Sequence, residues 1–348
     1  MTTAQANRLN CTGSETLSSS LDFTTYGNPT SANPLQMVGY TSVEDDGGVF
    51  ELNGGTNAII NDATIDGVHT QLFKITNWGT SFCYVINDDC SFFKCEWDGE
   101  SARTRVLDID TDCYVFDCKM YDINAATSAA VNSVSTRTHF VNNYIHVVST
   151  LGGWRALGVT NGGIILNNVI SLDTTGTGEG IRMNAIAGTV IGNTVFNQSA
   201  GTGRGINNNS TGNDNNNCIG NIVCGFSGVG GVGIRCDSSA FFTMYGYNHF
   251  WNNTTDEQTV TALQDHGNNS ALSANPFLST GNADHNDDDF TVDASVKNLG
   301  YPAGLYDPGG AFGDRNRSFM EPGALQRRPG GGGGVSAVLA RQGIGLWG

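Results

Sequence analysis

Four short segments specify the architecture: FVNNYIHV at residues 140–147, ILNNVISL at 165–172, VIGNTVFN at 190–197 and CIGNIVCG at 218–225. Each has an asparagine at its fourth position, which we call the anchor position; the four are Asn143, Asn168, Asn193 and Asn221. Asn248, in YGYNHFW, continues the series after Asn221 at a similar interval. A residue type that recurs at a nearly constant interval predicts a repeat architecture in which each interval is one structural unit.

Apolar residues recur with the same interval. The residues two places after the anchor are Ile145, Ile170, Val195, Val223 and Phe250. A second apolar series lies earlier in each repeat and reads Leu107, Val131, Leu157, Ile181, Ile206 and Ile234. Within each short run the apolar positions mostly alternate, which indicates strands. A repeat of about 25 residues with two or three strands predicts one coil of a parallel β-helix, with coils stacked at the strand spacing of about 4.8 Å.

This stacking places equivalent side chains directly above one another, so the anchor asparagines are predicted to form a ladder of hydrogen-bonded amides. A β-sandwich is the competing all-β architecture, but it has no reason to repeat one residue type at this regular interval. A helical repeat is disfavoured because the periodicity of an α-helix is absent.

The composition restricts the classes of function. The chain has 348 residues, with 33 acidic and 17 basic side chains and a net charge of −16. A chain with this excess of negative charge repels the phosphate backbone of a nucleic acid. Nucleic acid is therefore not a predicted partner. No apolar run reaches the roughly 18 residues of a membrane-spanning helix. The N-terminal stretch MTTAQANRLNCTGSETLSSS lacks the basic and apolar segments of a secretory signal, so we expect synthesis in the cytosol.

The chain is divided by composition into four parts: residues 1–34 as an N-terminal arm or cap, 35–257 as the β-helix, 258–312 as a closing coil or C-terminal cap, and 313–348 as a basic, glycine-rich tail. From residue 315 onward the tail carries five arginines and one glutamate, in contrast to the acidic remainder. We predict that it docks on an acidic neighbouring subunit. The docking residues would be Arg327, Arg328, Arg341, Leu346 and Trp347. A solvated linker is the alternative interpretation.

The chain has nine cysteines, without the spacing of a typical metal site. The interval from Cys90 to Cys113 equals that from Cys95 to Cys118, so each pair is expected to occupy equivalent places in neighbouring coils. A stack of free thiols in the core is the preferred interpretation; an inter-coil disulfide and a metal site stay open. We predict no metal and no cofactor.

Acidic residues supply the candidates for catalysis. Asp108, Asp110 and Asp112 alternate in DIDTDCYVFD, so they are expected to share one strand face and, in an enzyme, to act as the acids of a glycan hydrolase. Asp88 and Asp89 are expected close to the equivalent of Asp112, one coil earlier, where they would face a sugar or bind calcium. A solvated acidic face is the alternative for all five.

Two tryptophans and two arginines complete the candidate set. Trp154 is a candidate platform for stacking a sugar, whereas Trp97 is assigned to the core because it falls in an inward series. Arg182 and Arg235 each follow an isoleucine of the second apolar series, which indicates an outward basic stripe.

The coils resemble the right-handed parallel β-helix proteins of the pectate-lyase-like superfamily over about residues 35–300. The stretch NPLQMVGYTSVEDDGGVFELNGG at 33–55 is similar to the entry coil of such proteins. NPFLS at 275–279, followed by DDDFTVDASVKNLGYP at 287–302, resembles the closing coil of bacterial and phage members. MEPGALQ at 320–326 and the glycine-rich tail after it resemble the ends of tailed-phage virion proteins. The implied fold is all-β: a single right-handed parallel β-helix with an N-terminal cap and a C-terminal extension.

The resemblance also implies a function. The G-H-G and R-I-K motifs of polygalacturonases and the W-x-D-H motif of pectate lyases do not occur here, so no catalytic set is complete. We therefore expect a non-enzymatic virion protein, a capsid decoration or head-spike subunit assembled in the host cytoplasm. A homotrimer, another capsid protein and a host glycan are the implied partners. The alternatives are a tailspike or secreted, extracellular β-helix protein that binds or depolymerises polysaccharide, and a bacterial surface adhesin.

Overall fold

The computed structural model describes residues 7–21, 29–41, 48–61, 64–79, 82–125, 129–133, 137–149, 152–159, 162–184, 188–210, 216–237, 240–280 and 289–292. These residues form strands joined by turns. None of them lies in a helix with the length and apolar content needed to cross a membrane. The tail residues Arg327, Arg328, Arg341, Leu346 and Trp347 lie outside the described residues.

Three parallel sheets contain most of the strands. The first sheet consists of β1 (Asn7–Thr12), β3 (Leu35–Tyr40), β6 (Val68–Gln71), β9 (Ser91–Phe93), β12 (Tyr114–Phe116), β15 (His139–Val141), β18 (Ile164–Leu166), β21 (Thr189–Ile191), β24 (Asn216–Ile219), β27 (Phe242–Gly246) and β30 (Ala262–Asp265). The second sheet consists of β2 (Ser14–Thr16), β4 (Phe50–Asn53), β7 (Phe73–Thr76), β10 (Glu96–Asp98), β13 (Lys119–Ile123), β16 (Tyr144–Ser149), β19 (Val169–Thr174), β22 (Thr194–Asn197), β25 (Ile222–Cys224), β28 (His249–Trp251) and β31 (Ser270–Ala271). The third sheet consists of β5 (Ile60–Asn61), β8 (Tyr84–Ile86), β11 (Leu107–Ile109), β14 (Ala129–Ser133), β17 (Arg155–Val159), β20 (Glu179–Met183), β23 (Arg204–Asn208), β26 (Val232–Cys236) and β29 (Thr255–Gln258).

Each coil adds one strand to each sheet, and the strands pair in parallel with their equivalents in the coils before and after. Ile145 is the direct neighbour of Ile170, and Ile170 of Val195, so the apolar residues two places after the anchor stack in one row. The prediction of a parallel β-helix is confirmed: the chain forms a β-solenoid of about nine turns, consistent with a right-handed β-helix.

The core runs along the axis between the three sheets. The second apolar series is buried as predicted, with Leu107, Ile181 and Ile206 each 0% exposed. Trp97 is also 0% exposed and packs edge-to-face on Phe92, with ring centroids 5.5 Å apart, so its assignment to the core is confirmed. Large aromatic side chains bury the most apolar area per residue, and this burial stabilises the coils.

The cysteines belong to this core. All nine are free thiols, and all except Cys11 are buried. Cys90 and Cys113 stack in neighbouring coils, with the two sulfur atoms 2.7 Å apart. Cys118 stands at the anchor position, and its sulfur accepts the backbone N–H of Cys95, one coil earlier, at 3.4 Å. The predicted stacking of equivalent cysteines in neighbouring coils is therefore confirmed.

The anchor asparagines form the predicted ladder. Nδ2 of Asn143 donates to Oδ1 of Asn168 at 2.9 Å, and the same bond links Asn168 to Asn193 at 3.0 Å, Asn193 to Asn221 at 3.1 Å and Asn221 to Asn248 at 3.0 Å. These five side chains are at most 2% exposed. The ladder continues one rung further, because Oδ1 of Asn269 accepts the backbone N–H of Asn248 at 2.8 Å.

The ends of the chain extend or cover the solenoid. Within the segment predicted as a cap, residues 1–34, strands β1 and β2 stack on β3 and β4 and continue two of the sheets. After β31 the chain forms an antiparallel hairpin of β32 (Phe277–Ser279) and β33 (Asp289–Val292). Phe277 and Phe290 of this hairpin pack on Phe196, an outward residue of the second sheet, with ring centroids 5.8 and 5.7 Å away. The hairpin therefore covers a flank of the solenoid, whereas β29 to β31 add the last coil.

Candidate functional site

The acids predicted to share a strand face do not. Asp108 lies in β11, but that strand ends at Ile109, and Asp110 and Asp112 lie in the turn that follows. Asp112 has a φ of 55°, a left-handed conformation that strands do not contain. The expected alternation was wrong because β11 is short and the chain turns toward the first sheet immediately after it.

These acids have structural partners. Oδ2 of Asp108 accepts from Nη1 of Arg105 at 2.5 Å. Oδ2 of Asp112 accepts from Nη2 of Arg137, also at 2.5 Å. Oδ1 of Asp110 accepts from the hydroxyl of its neighbour Thr111 at 3.4 Å. The arrangement therefore places each carboxylate in a separate local contact.

The second acidic pair supports a turn between coils. Asp89 and Asp112 precede the stacked Cys90 and Cys113, and both have left-handed backbones, with φ of 53° and 55°, so the predicted equivalence of the two positions is confirmed. Oδ1 of Asp88 accepts the backbone N–H of Thr111 in the next coil at 3.0 Å. A carboxylate that satisfies a backbone donor in this way stabilises the turn.

Trp154 is not a platform for sugar. Its side chain is 1% exposed, so no face of the indole is open for stacking. The ring lies on Gly178 of the next coil, where an added Cβ would be 1.8 Å from Cε2 of the indole. The lack of a side chain at Gly178 makes room for Trp154 beneath the outer surface of the third sheet.

Above Trp154, the third sheet carries a repeated glycine–isoleucine pair flanked by outward residues. The segments are EGIR at 179–182, RGIN at 204–207 and VGIR at 232–235. A Cβ on Gly180 would lie 2.4 Å from Cγ1 of the core residue Val195, so this glycine faces the core together with the buried Ile181. Two successive inward residues interrupt the usual alternation of a strand. As a consequence, the residues on either side of the pair point outward toward each other.

Glu179 is the centre of this surface. Its side chain is only 8% exposed, yet it faces three arginines. Oε1 accepts from Nη1 of Arg204 at 2.9 Å and from Nδ2 of Asn207 at 2.8 Å. Oε2 lies 3.6 Å from Nε of Arg182 and 3.9 Å from Nε of Arg155. A buried carboxylate needs such partners, because an isolated charge inside a protein is costly.

Arg182 and Arg235 lie in one outward row of the sheet, with Asn207 between them in register, so the basic stripe predicted from the sequence is confirmed. Nη2 of Arg235 donates to Oδ1 of Asp237 at 2.7 Å. Together with Arg155 and Arg204, the cluster has four guanidinium groups and two carboxylates, a local excess of positive charge. Burial lowers the pKa of Arg155, and the nearby charge of Arg182 lowers it further.

Three of these arginines, Arg182, Arg204 and Arg235, line an open cleft of about 350 Å³. We call it the arginine cleft; its lining residues are Gly153, Trp154, Thr177, Glu179, Arg182, Thr202, Gly203, Arg204, Gly230, Arg235 and Gln258. Four buried polar atoms at this place have no hydrogen-bond partner among the described residues: Nε1 of Trp154, Nε of Arg155, Oε2 of Glu179 and Oδ1 of Asn207. Guanidinium groups bind oxyanions through charge and paired N–H donors, so anion binding is the chemistry that this cleft supports.

The described residues contain no group of three or more histidine, cysteine, aspartate or glutamate side chains arranged to hold a metal ion. Comparison with protein-family models, with curated proteins and with solved structures finds no match to this chain. Its function must therefore be argued from the solenoid and its surface.

The sequence pointed to Arg182 and Arg235 but not to their companions. Glu179 and Arg204 do not recur as a residue type from coil to coil, so no repeated pattern marks them. The repeated glycine–isoleucine pair is the sequence feature from which this cluster could have been predicted. A glycine beside an inward isoleucine indicates that the alternation of the strand is interrupted there.

Proposed function

We propose that this protein is a non-enzymatic structural subunit of a virion, a capsid decoration or head-spike protein of a tailed phage. The observation that carries the proposal is that two of the aspartates predicted as catalytic acids of a glycan hydrolase are paired with arginines. Asp108 is held by Arg105, and Asp112 by Arg137. Glycoside hydrolysis canonically uses two carboxylates that flank one scissile bond, whereas Asp108 and Asp112 are each held in a separate ion pair. These acids stabilise turns and coil-to-coil contacts in a structural rod.

The architecture suits that role. A solenoid whose coils are joined by three parallel sheets and a buried amide ladder is a stiff rod, because each coil is hydrogen-bonded to the next along its circumference. The basic tail at 313–348 has the opposite charge to the rest of the chain, which favours docking on an acidic neighbour. The virion β-helix proteins that the chain resembles usually associate side by side as trimers, and a homotrimer is the proposed assembly.

Quantitative proteomics of purified particles from the source tests the proposal. Many copies per particle are expected for a decoration subunit, and a few copies would favour the tailspike alternative. A chain lacking residues 330–348 should keep its β-solenoid, as judged by circular dichroism, but should not attach to particles. Absence of the wild-type chain from particles, or normal attachment of the shortened chain, would contradict the proposal.

A second candidate function is the binding of polysaccharide by a tailspike or an extracellular protein. The arginine cleft favours it, because the cleft presents polar and cationic groups on an outer face of the rod. Incubation of the protein with surface polysaccharide and analysis of the products by size would separate binding from cleavage. Shortened products that disappear in Asp108→Asn and Asp110→Asn variants would restore these acids as catalytic candidates.

A further inference from the structure

We infer that the arginine cleft binds the oxyanion of an acidic saccharide, a carboxylate or a sulfate or phosphate ester. This site is independent of the proposed place in a virion. Three arginines, Arg182, Arg204 and Arg235, line the cleft on the outer face of the third sheet, and two of them face the nearly buried Glu179 together with Arg155.

The charge in the cleft is unbalanced. Glu179 alone faces Arg155, Arg182 and Arg204, and it forms its shortest ion pair, 2.9 Å, with Arg204. One carboxylate cannot neutralise three guanidinium groups, and the remaining charge is only partly solvated because these arginines are 25–32% exposed. An anion in the cleft would offset this cost. In a chain with a net charge of −16, so compact a basic cluster is not a consequence of composition.

Glu179 positions the arginines for such an anion. Its Oε1 holds Nη1 of Arg204, and Asn207 donates to the same oxygen. Nε of Arg182 is held by Oδ1 of Asn184 at 2.8 Å. Side chains that are fixed in this way lose less conformational entropy on binding than free surface arginines do. Glu179 is therefore a positioning residue, and the guanidinium groups contact the ligand.

The neutral part of the lining favours a saccharide over a bare ion. Thr177, Thr202 and Gln258 provide two hydroxyl groups and an amide around the arginines. Gly203 and Gly230 leave the backbone uncovered there. These groups match the hydroxyls of a sugar ring. A volume of about 350 Å³ accommodates one or two sugar residues rather than a long chain.

A nucleic acid is disfavoured as the ligand. Polyphosphate backbones need a basic surface that extends over many phosphates, and their binding grows with the number of phosphates neutralised. In this protein only three arginines line the cleft, and the chain as a whole has a net charge of −16. Electrostatic repulsion outside the cleft would oppose a polyanion but not a saccharide with a single charged group.

Isothermal titration calorimetry and saturation-transfer NMR on the full chain test the inference. The probes are glucuronate and glucose 6-phosphate as anionic sugars, glucose as the neutral control and inorganic phosphate as the bare ion. We expect at least one anionic sugar to bind about tenfold or more tightly than glucose and inorganic phosphate, and to weaken as salt is raised. No binding of either anionic sugar would overturn the inference. Equal binding of inorganic phosphate would overturn its assignment to a saccharide.

Variants locate the site. Arg235→Gln and Arg204→Gln should each weaken binding of the anionic sugar by about tenfold or more, since each removes charged donors. Arg137→Gln, which removes an arginine in the turn near Asp112, is the matched control and should bind as the wild type does. Because Arg204→Gln also breaks the pair with Glu179, Thr202→Phe provides a steric block that leaves every arginine in place. Unchanged binding in Arg235→Gln and Thr202→Phe would place the ligand elsewhere and contradict the inference.

Discussion

Oδ1 of Asn193 accepts two hydrogen bonds from Asn168, one from its side-chain amide at 3.0 Å and one from its backbone N–H at 2.9 Å. The amide of Asn168 also donates backward, to the carbonyl of Phe140 in the preceding coil, at 2.9 Å. One buried side chain therefore bonds to the coils on both sides of its own. The same pattern recurs at the neighbouring asparagine rungs, so the ladder is a continuous hydrogen-bonded column.

Removal of one rung should destabilise the solenoid. Asn168→Ala or Asn193→Ala leaves buried donors and acceptors of two neighbouring coils without partners. We expect a loss of about 1–3 kcal/mol in the free energy of unfolding, measured by urea denaturation. Asn10→Ala, at an exposed asparagine of β1, is the control and should change stability by less than about 0.5 kcal/mol. An unchanged midpoint in both ladder variants would contradict the structural role of the column.

A methyl group at Gly178 should displace Trp154. The added Cβ would lie 1.8 Å from Cε2 of the indole, so the ring or the strand must shift. We expect Gly178→Ala to lose about 1–3 kcal/mol of stability and to change the near-ultraviolet circular dichroism of the tryptophans. The loss of stability caused by Gly178→Ala should be smaller in a Trp154→Phe background, because phenylalanine is smaller than tryptophan. An equal cost in both backgrounds would show that the clash is not with the indole.

Gly230→Ala serves as a further control for the glycine variant. No atom lies within 4 Å of a Cβ at Gly230, but its φ is +82°. Alanine there should cost about 1 kcal/mol through backbone strain alone and should leave the tryptophan signal unchanged.

The flanking hairpin should detach without unfolding of the solenoid. Phe277 and Phe290 contact each other, with centroids 5.3 Å apart, and both pack on Phe196. Because they lie on the outside of the second sheet, Phe277→Ala or Phe290→Ala should release the hairpin and speed its proteolysis, while the thermal midpoint of the solenoid stays close to that of the wild type. Leu278→Ala, at a side chain that is 59% exposed, should not change the cleavage rate. Global unfolding in the phenylalanine variants would show that the hairpin is integral to the core.

Stability should fall in alkaline solution. Burial raises the pKa of the thiols of Cys83, Cys90 and Cys118 well above the ordinary value, so the folded chain keeps protons that the unfolded chain releases above about pH 8.5. This contribution to stability is complete below that pH. It is lost as the pH rises, by up to about 1.4 kcal/mol per pH unit for each thiol.

Urea denaturation between pH 8 and pH 10, in the presence of a reductant, measures this loss. Cys83→Ala should give a shallower decline than the wild type, whatever its stability at neutral pH, because one titrating thiol has been removed. A wild-type profile that stays flat across this range would contradict the burial of the thiols.

The repeat could be predicted from the sequence because coil stacking converts sequence interval into spatial contact. Asn143, Asn168 and Asn193 recur at one constant interval and therefore meet at one place in successive coils. The inward position of Trp97 followed from the same regularity. The packing of Phe277 and Phe290 on the second sheet could not be predicted from the repeat, because the hairpin lies outside it. The position of the hairpin depends on the apolar surface that the second sheet leaves uncovered.

The candidate site was predictable only in part. The alternation of Asp108, Asp110 and Asp112 suggested a common face, but β11 ends at Ile109 and the turn separates them. Trp154 belongs to neither apolar series of the sequence and is nevertheless buried, because Gly178 in the next coil leaves space for its ring. In both cases the outcome depended on the local path of the backbone, which a pattern of residue types does not contain.

Residue types that recur at a fixed interval determine the coil and its length. They also determine the amide ladder and the apolar series that fill the core, and all of these features are visible in the sequence. How the outward side chains of neighbouring coils are oriented toward each other was decided by the local backbone of the folded solenoid. Glu179 and Arg204 lie one coil apart and are chemically unlike, yet their side chains approach to 2.9 Å. Paired glycine and isoleucine residues break the alternation of the third sheet there, and outward residues of adjacent coils converge on one cleft.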